Sequence, residues 1–369
     1  MRIPLARPNF TSRDFSFVER VLRSGWLSQG PAVKEFERQI AEYVGVKHAV
    51  ATSSGSTALD LAMACAGVRA GDEVAVPDFT FPATANSVIH CGGAPVFVDI
   101  EEPGFNIDPS QVLKAVSNNT KAIVVVHAFG HPAKIDEVLR IARQHGVKVV
   151  EDAAGALGAS FRGRKVGGFG DIACLSFHPR KIITTGEGGM LLTNDSELAE
   201  LALSLRNHGI VRREGKTAFV RPGFNYRMSD VQAGLGLAQL RKIEWRIAET
   251  RKLARRYSSF LEGVEGIRCP SEETGVMHTY QTYCVMVDSP ERNAIIGTLA
   301  SKGIETQVGY YALHLQDAFR GLRRAGSLEN SSRAFTSSLA LPMYIGLRKR
   351  DQRLVADALI GAVKALREG

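Results

Sequence analysis

The 369-residue chain is 44% hydrophobic and 23% charged, the make-up of an ordinary globular protein with ample length for a large core. Its formal net charge of +8 favours anionic small molecules, yet no run of six like charges, helix-turn-helix or basic stripe marks a nucleic-acid binder. Five cysteines without a C-x-x-C pair exclude a disulfide framework or zinc site, and the absence of an apolar run of membrane length excludes a spanning segment. Pro4 and Pro8 interrupt any leader-like stretch, so a cytoplasmic protein with no membrane or nucleic-acid partner is expected.

Residues 1–30 read as an irregular arm carrying one helix, Ser12 to Ser24, stopped by Gly25. Val33, Phe36, Ile40 and Tyr43 have the spacing of an amphipathic helix over Pro31 to Tyr43. Strands and helices then alternate. Strands are predicted at Lys47–Thr52, Glu73–Val76, Pro95–Val98, Ala122–His127, Val147–Val150 and Ile172–Phe177. Helices are predicted at Ser56–Ala66, Ala83–Cys91, Pro109–Val116 and Ile135–Gln144. Short, wholly apolar strands between helices predict an α/β fold with a mostly parallel sheet covered on both faces. From Ser229 a helical period continues to about Leu261 without a proline, and the basic excess between Arg206 and Arg256 reads as a solvated helix face. A strand at Thr282–Val287 and helices at Arg292–Lys302 and Asp351–Leu366 complete the pattern. The expected division is 1–245, an arm with a large domain, and 246–369, a long linking helix with a smaller C-terminal α+β domain.

Ligands of parallel sheets sit outside the carboxyl ends of the strands, so polar residues at those ends carry the functional weight. Thr52 to Thr57 joins a strand to a helix and is rich in hydroxyls. It offers either an ordinary N-cap or a phosphate site made of free N–H groups. Neither a P-loop nor a G-x-G-x-x-G follows a strand here. The strand through Val150 ends in Glu151 and Asp152, of which alternation turns only one into a site. A buried carboxylate there needs a cationic partner, either a protonated pyridine nitrogen or an arginine; a metal is disfavoured, since no ligand cluster accompanies it. Lys181 lies between a strand leaving the core at Ser176 and the turn Gly186-Glu187-Gly188-Gly189. A lysine there is either a solvated charge or, once its pKa is lowered, a Schiff-base nucleophile. Phosphate cradle, strand-end carboxylate and loop lysine together suit pyridoxal 5'-phosphate (PLP), which carries a phosphate, a ring nitrogen and an aldehyde.

Several motifs, in order and along nearly the whole chain, resemble the DegT/DnrJ/EryC1/StrS family of PLP-dependent sugar aminotransferases. They are Ser24-Gly25-Trp26-Leu27 through Gly30-Pro31, Ser54-Gly55-Ser56-Thr57-Ala58-Leu59, Phe81-Pro82-Ala83-Thr84-Ala85-Asn86 and Glu151-Asp152-Ala153-Ala154. Ser176-Phe177-His178-Pro179-Arg180-Lys181, Gly186-Glu187-Gly188-Gly189, Asn225-Tyr226-Arg227-Met228-Ser229-Asp230 and Leu341-Pro342 complete the set. The resemblance implies PLP fold type I, with Lys181 as the Schiff-base and proton-shuttling lysine and Asp152 on the pyridine nitrogen. It further implies Phe81 on the ring face and Ser56, Thr57 and Ser176 on the phosphate. Asn225 would reach that phosphate from a neighbouring subunit, making a homodimer with shared sites. Donor and acceptor would be small molecules, L-glutamate and a keto sugar on a nucleoside diphosphate. Trp26, Arg221, Tyr311 and His314 are the candidates to grip the sugar nucleotide. A keto-cyclitol acceptor, or a regulatory relative that binds cofactor without turnover, are the alternatives; retention of Lys181 favours transamination over the dehydrating branch that carries histidine there. Two departures stand out. The phosphate turn reads Gly-Ser-Thr where Gly-Thr-Ala is common, and Gly155 replaces the long polar residue usual near the cofactor's phenolic oxygen.

Overall fold

The computed structural model describes residues 2–213, 215–288 and 292–368. Seven strands form the central sheet: β1 (His48–Thr52), β2 (Glu73–Pro77), β3 (Ala94–Val98), β4 (Thr120–Val126), β5 (Lys148–Asp152), β6 (Ile172–Ser176) and β7 (Gly189–Thr193). Their order across the sheet is β1-β7-β6-β5-β4-β2-β3. The ladders from β6 to β3 are parallel, whereas β7 runs antiparallel to both β1 and β6. Alternation divides each strand between two cores. On β4, Val124 and Val126 join Leu61, Met63 and Phe97 on one face, while Ile123 and Val125 join Ile135, Val138 and Ile141 on the other.

The predicted elements appear within one or two residues of their expected ends, with one correction. The continuous helix expected from Ser229 to Leu261 is two helices, Asp230–Leu240 and Ile243–Leu261. Lys242 leaves helical geometry at φ −114° and ψ 12°. Its ammonium donates to the buried Asp14 at 2.8 Å and to Thr11 Oγ1 at 2.9 Å, so the break turns a cation towards the cap of the first helix. Strand β7 was not anticipated, because its apolar run follows a glycine-rich turn directly.

A second sheet is antiparallel throughout. Its strands β8 (Ile267–Arg268), β9 (Tyr283–Val287), β10 (Gln307–Val308) and β11 (Ser338–Leu341) take the order β8-β9-β11-β10. Helices Ile243–Leu261, Arg292–Ser301 and Lys349–Glu368 pack with it around Tyr257, Tyr283, Leu299 and Leu359. The arm is pinned here too, since Ile3 N–H donates to the Gly303 carbonyl at 2.8 Å. Asp230 closes the other end of the arm, its carboxylate accepting from the N–H groups of Gly30 and Ala32 at 2.5 and 3.0 Å, which caps the Pro31–Val44 helix from far along the chain.

Candidate active site

The carboxyl ends of β1, β2, β5 and β6 open into one cavity of about 540 Å³, closed on its far side by the segment around Gln281 and by Gln307–Tyr311. Four groups on its wall bear on chemistry.

The first is the start of the Gly55–Ala66 helix. Ser54 caps it by accepting from Thr57 N–H at 3.1 Å, and Thr57 Oγ1 accepts in return from Ser54 N–H at 3.0 Å. The capping box therefore absorbs the Thr57 hydroxyl, which does not line the cavity. Among the described residues the N–H groups of Gly55 and Ser56 have no acceptor, and both residues line the cavity with Ser176. A Cβ on Gly55 would meet Ser176 Cβ at 2.7 Å, so only glycine lets the helix start come down onto that hydroxyl. Gly189 plays a like part: its Cβ would lie 2.1 Å from the Ser54 carbonyl oxygen. The glycine-rich turn after Lys181 thus brings β7 against the phosphate turn, protein against protein.

The second group is the carboxylate pair ending β5, where alternation divides the labour. Glu151 is wholly buried on the far face and accepts from His127 Nε2 at 3.0 Å and from the N–H groups of Gly167, Phe169 and Gly170, each at 2.7 Å. His127 Nδ1 accepts from Ala133 N–H at 3.0 Å, which puts the ring proton on Nε2. Burial alone would push the Glu151 carboxyl up, but His127 and the backbone donors outweigh it and hold it below the usual range. Asp152 faces the cavity, 6% exposed, and has only neutral donors: Thr84 Oγ1 at 2.9 Å and Ala154 N–H at 3.1 Å. No ion pair reaches it among the described residues, so no arginine takes the cationic place. A buried carboxylate without a cation calls for one from the ligand.

The third is Lys181, held by a turn in which its N–H donates to the His178 carbonyl at 2.8 Å. Burial lowers the pKa of its amine, Asp152 opposes this, and Arg180 adds to the lowering. Among the described residues its Nζ makes no hydrogen bond, and the lowered pKa favours the neutral amine, the nucleophilic form. The fourth is Phe81, whose ring stands 57% exposed on the cavity wall, a large apolar surface with nothing covering it.

Of the remaining candidates, Tyr311 lines the cavity. His314 does not: Asp78 accepts from its Nδ1 at 2.6 Å and from its N–H at 2.8 Å, and it is buried, a structural pair and not a substrate grip. Trp26, Arg221 and Asn225 are exposed and lie off the cavity wall of this chain. Residues that sequence reasoning passed over also face the cavity. Arg180 is bonded to Gln307 Oε1 at 2.5 Å, Tyr310 is stacked on Phe129 with centroids 4.4 Å apart, and Gln281 lies beside Gly155. No local pattern marks Tyr310 or Gln281, and Arg180 lies within the Ser176–Lys181 motif with no role read for it.

PLP fits this donor set. Free helix N–H groups with two serines suit its phosphate, Asp152 its ring nitrogen, Lys181 its aldehyde and Phe81 its ring face. Among the described residues no group of three or more metal-ligating side chains occurs. Residues 8–360 match the DegT/DnrJ/EryC1/StrS aminotransferase family. The chain belongs to this family.

Like other members it is a PLP-dependent aminotransferase of fold type I. It is 37% identical over 363 residues to GDP-perosamine synthase from Caulobacter vibrioides, covering 97% of each chain. The solved aminotransferase TlmJ from Streptoalloteichus hindustanus superposes with a TM-score of 0.95 at 34% identity, over 99% of this chain and all of that one. The PLP form of Spr1654 from Streptococcus pneumoniae gives a TM-score of 0.94 at 27% identity, with 99% of this chain and all of that one covered. Among the described residues no helix is long and apolar enough to cross a membrane.

Proposed function

We propose that this aminotransferase moves an amino group from L-glutamate to a keto sugar carried on a nucleoside diphosphate, working in the cytoplasm as a homodimer. The observation that carries the reading is the juxtaposition, in one cavity, of an unbonded Lys181 amine with an Asp152 carboxylate that lacks a cation. The likeness to a GDP-perosamine synthase supports a nucleotide-sugar acceptor. Bound PLP supplies an aldehyde that captures amines and a ring that takes up the electrons released at the carbon being deprotonated. Asp152 keeps the ring nitrogen protonated. Lys181 takes the proton from the donor's α-carbon and returns one to the sugar carbon. Phe81 covers one ring face, while Ser56, Ser176 and the Gly55 and Ser56 N–H groups hold the phosphate. Thr57 contributes by fixing the cap. Asn225, exposed and off this chain's own cavity, serves the partner's phosphate. Trp26 and Arg221, also off this chain's own cavity, grip the sugar nucleotide at a neighbouring site, and Tyr311 meets the sugar. A division at 1–245 and 246–369 is supported by the two larger sheets lying one on each side of that boundary.

The test combines purified enzyme, nitrogen-labelled glutamate and a panel of keto sugar nucleotides with a keto-cyclitol for comparison. Labelled amino sugar is expected from the wild type and none from Lys181→Ala. Amination of the cyclitol alone would overturn the substrate class, and a cofactor-loaded protein that leaves glutamate unchanged would overturn turnover itself. Mixed Lys181→Ala and Asn225→Ala chains should regain activity in proven heterodimers; no recovery would place a complete site within one chain.

A further inference from the structure

Gly155 stands on the cavity wall just beyond Asp152, and the end of the Gln281 side chain crowds the place where a side chain would start. A Cβ built on Gly155 would lie 3.0 Å from Gln281 Oε1 and 3.9 Å from Tyr310 Oη. Gln281 comes from the segment leading into β9, far along the chain, and its Nε2 donates to the carbonyl of Arg180 at 2.8 Å. One amide group thus spans from the residue before Lys181 to the turn after Asp152. An amide nitrogen carries two N–H groups. Among the described residues the second has no acceptor, and Oε1 receives no hydrogen bond.

We infer that Gln281 binds the phenolic oxygen of the cofactor ring with this second N–H; the inference rests on the assignment of the cavity to PLP. That ring carries four polar groups. The nitrogen, the aldehyde and the phosphate have partners in Asp152, Lys181 and the helix start with Ser176. The ring oxygen is an anionic acceptor and requires a donor, which Gly155 cannot offer. Two polar side chains border the glycine, Gln281 through its amide oxygen and Tyr310 through its hydroxyl. Tyr310 Oη lies farther from the glycine, 3.9 Å from the built Cβ against 3.0 Å for the Gln281 amide. Gln281 holds an unspent N–H and is braced by Arg180 in the loop that presents Lys181. A bond from Gln281 would therefore tie cofactor, lysine loop and the approach to β9 together through one side chain. A larger residue at 155 would need the Gln281 amide to shift, because a Cβ there sits 3.0 Å from its oxygen.

The experiment uses the holoenzyme and reads cofactor affinity by absorbance titration, together with the pH at which the yellow absorbance titrates. Gln281→Ala should weaken PLP binding about ten- to a hundred-fold, as expected for losing one hydrogen bond to a charged oxygen. It should also raise the titration midpoint, because an unbonded ring oxygen would make the Lys181 nitrogen joined to the cofactor more basic. Gln281→Glu, with an acceptor in place of the donor, should be worse than alanine. Gly155→Gln alone should weaken binding by crowding Gln281, and combining it with Gln281→Ala should recover much of the loss. Wild-type affinity and midpoint in Gln281→Ala would overturn the inference while leaving the PLP assignment intact. Tyr310→Phe reproducing both changes when Gln281→Ala does not would also overturn it, in favour of the tyrosine. Failure of the wild type to form a borohydride-reducible bond at Lys181 would instead bring down the underlying assignment.

Discussion

Glu151 and Asp152 are adjacent carboxylates that should fail in opposite ways when each is made into its amide. In Glu151→Gln one oxygen becomes an NH2 group. Whichever way that amide turns, it faces two donors: His127 Nε2 with Gly167 N–H, or Phe169 N–H with Gly170 N–H. His127 cannot switch tautomer to accept, because Nδ1 already takes the Ala133 N–H. Two charge-assisted hydrogen bonds are lost at about 1.5–3 kcal/mol each, so the variant should lose about 3–6 kcal/mol. Against a typical stability of about 5–15 kcal/mol that is a severe defect, read as a lowered urea midpoint by circular dichroism. Asp152→Asn meets a different environment. Asn keeps an oxygen for the Ala154 N–H, and Thr84 Oγ1 can rotate to accept from the new NH2 while donating to Thr80 Oγ1, 3.1 Å away. Its stability should change by less than about 1 kcal/mol, while turnover falls on the order of 100-fold or more once the ring nitrogen loses its anion. A Glu151→Gln protein that unfolds at the wild-type midpoint, or an Asp152→Asn protein with full turnover, would refute this division of roles. Acid should expose the same bond. The Glu151 carboxyl lies below its ordinary 4.5 in the folded state. Its contribution is therefore present above that value and lost as pH falls through the lowered one.

Because burial lowers the Lys181 amine below its ordinary 10.5, in cofactor-free protein it should react with trinitrobenzenesulfonate at a pH where surface lysines are still largely protonated. Peptide mapping that finds it no faster than the rest would contradict that shift. Gly55→Ala would improve helix propensity but set a Cβ 2.7 Å from Ser176 Cβ; cofactor affinity should drop at least about tenfold, and an unaltered titration would rule out the cradle. Lys242→Met leaves Asp14 buried without its cation and should cost about 3 kcal/mol in chemical denaturation; an unchanged midpoint would show that the helix break does not depend on that pair.

What could be read in the sequence was whatever local pattern encodes. Apolar runs marked the β2 to β6 strands, and the hydroxyl-rich turn Thr52–Thr57 marked the helix start proposed to hold the phosphate. Alternation along β5 said that only one of Glu151 and Asp152 would enter the site, and the surroundings of Glu151 show why: its four donors come from a histidine and a loop on the opposite face. The Lys242 break was hidden because its cause, Asp14, lies 228 positions away. His314 looked like a substrate ligand for the same reason, since Asp78, its actual partner, is 236 positions distant.

Gln281 is the most instructive omission. Nothing near it in sequence marks it, and the visible sign was a deficit elsewhere, the small residue at Gly155. Polar groups in a closed cavity must be accounted for together, because an unmet donor or acceptor there costs about 1–3 kcal/mol. A glycine where a ligand oxygen needs a donor therefore implies that another element supplies one. The sequence could state that requirement at Gly155. Only the packing of the segment before β9 against the Lys181 loop could say which residue meets it.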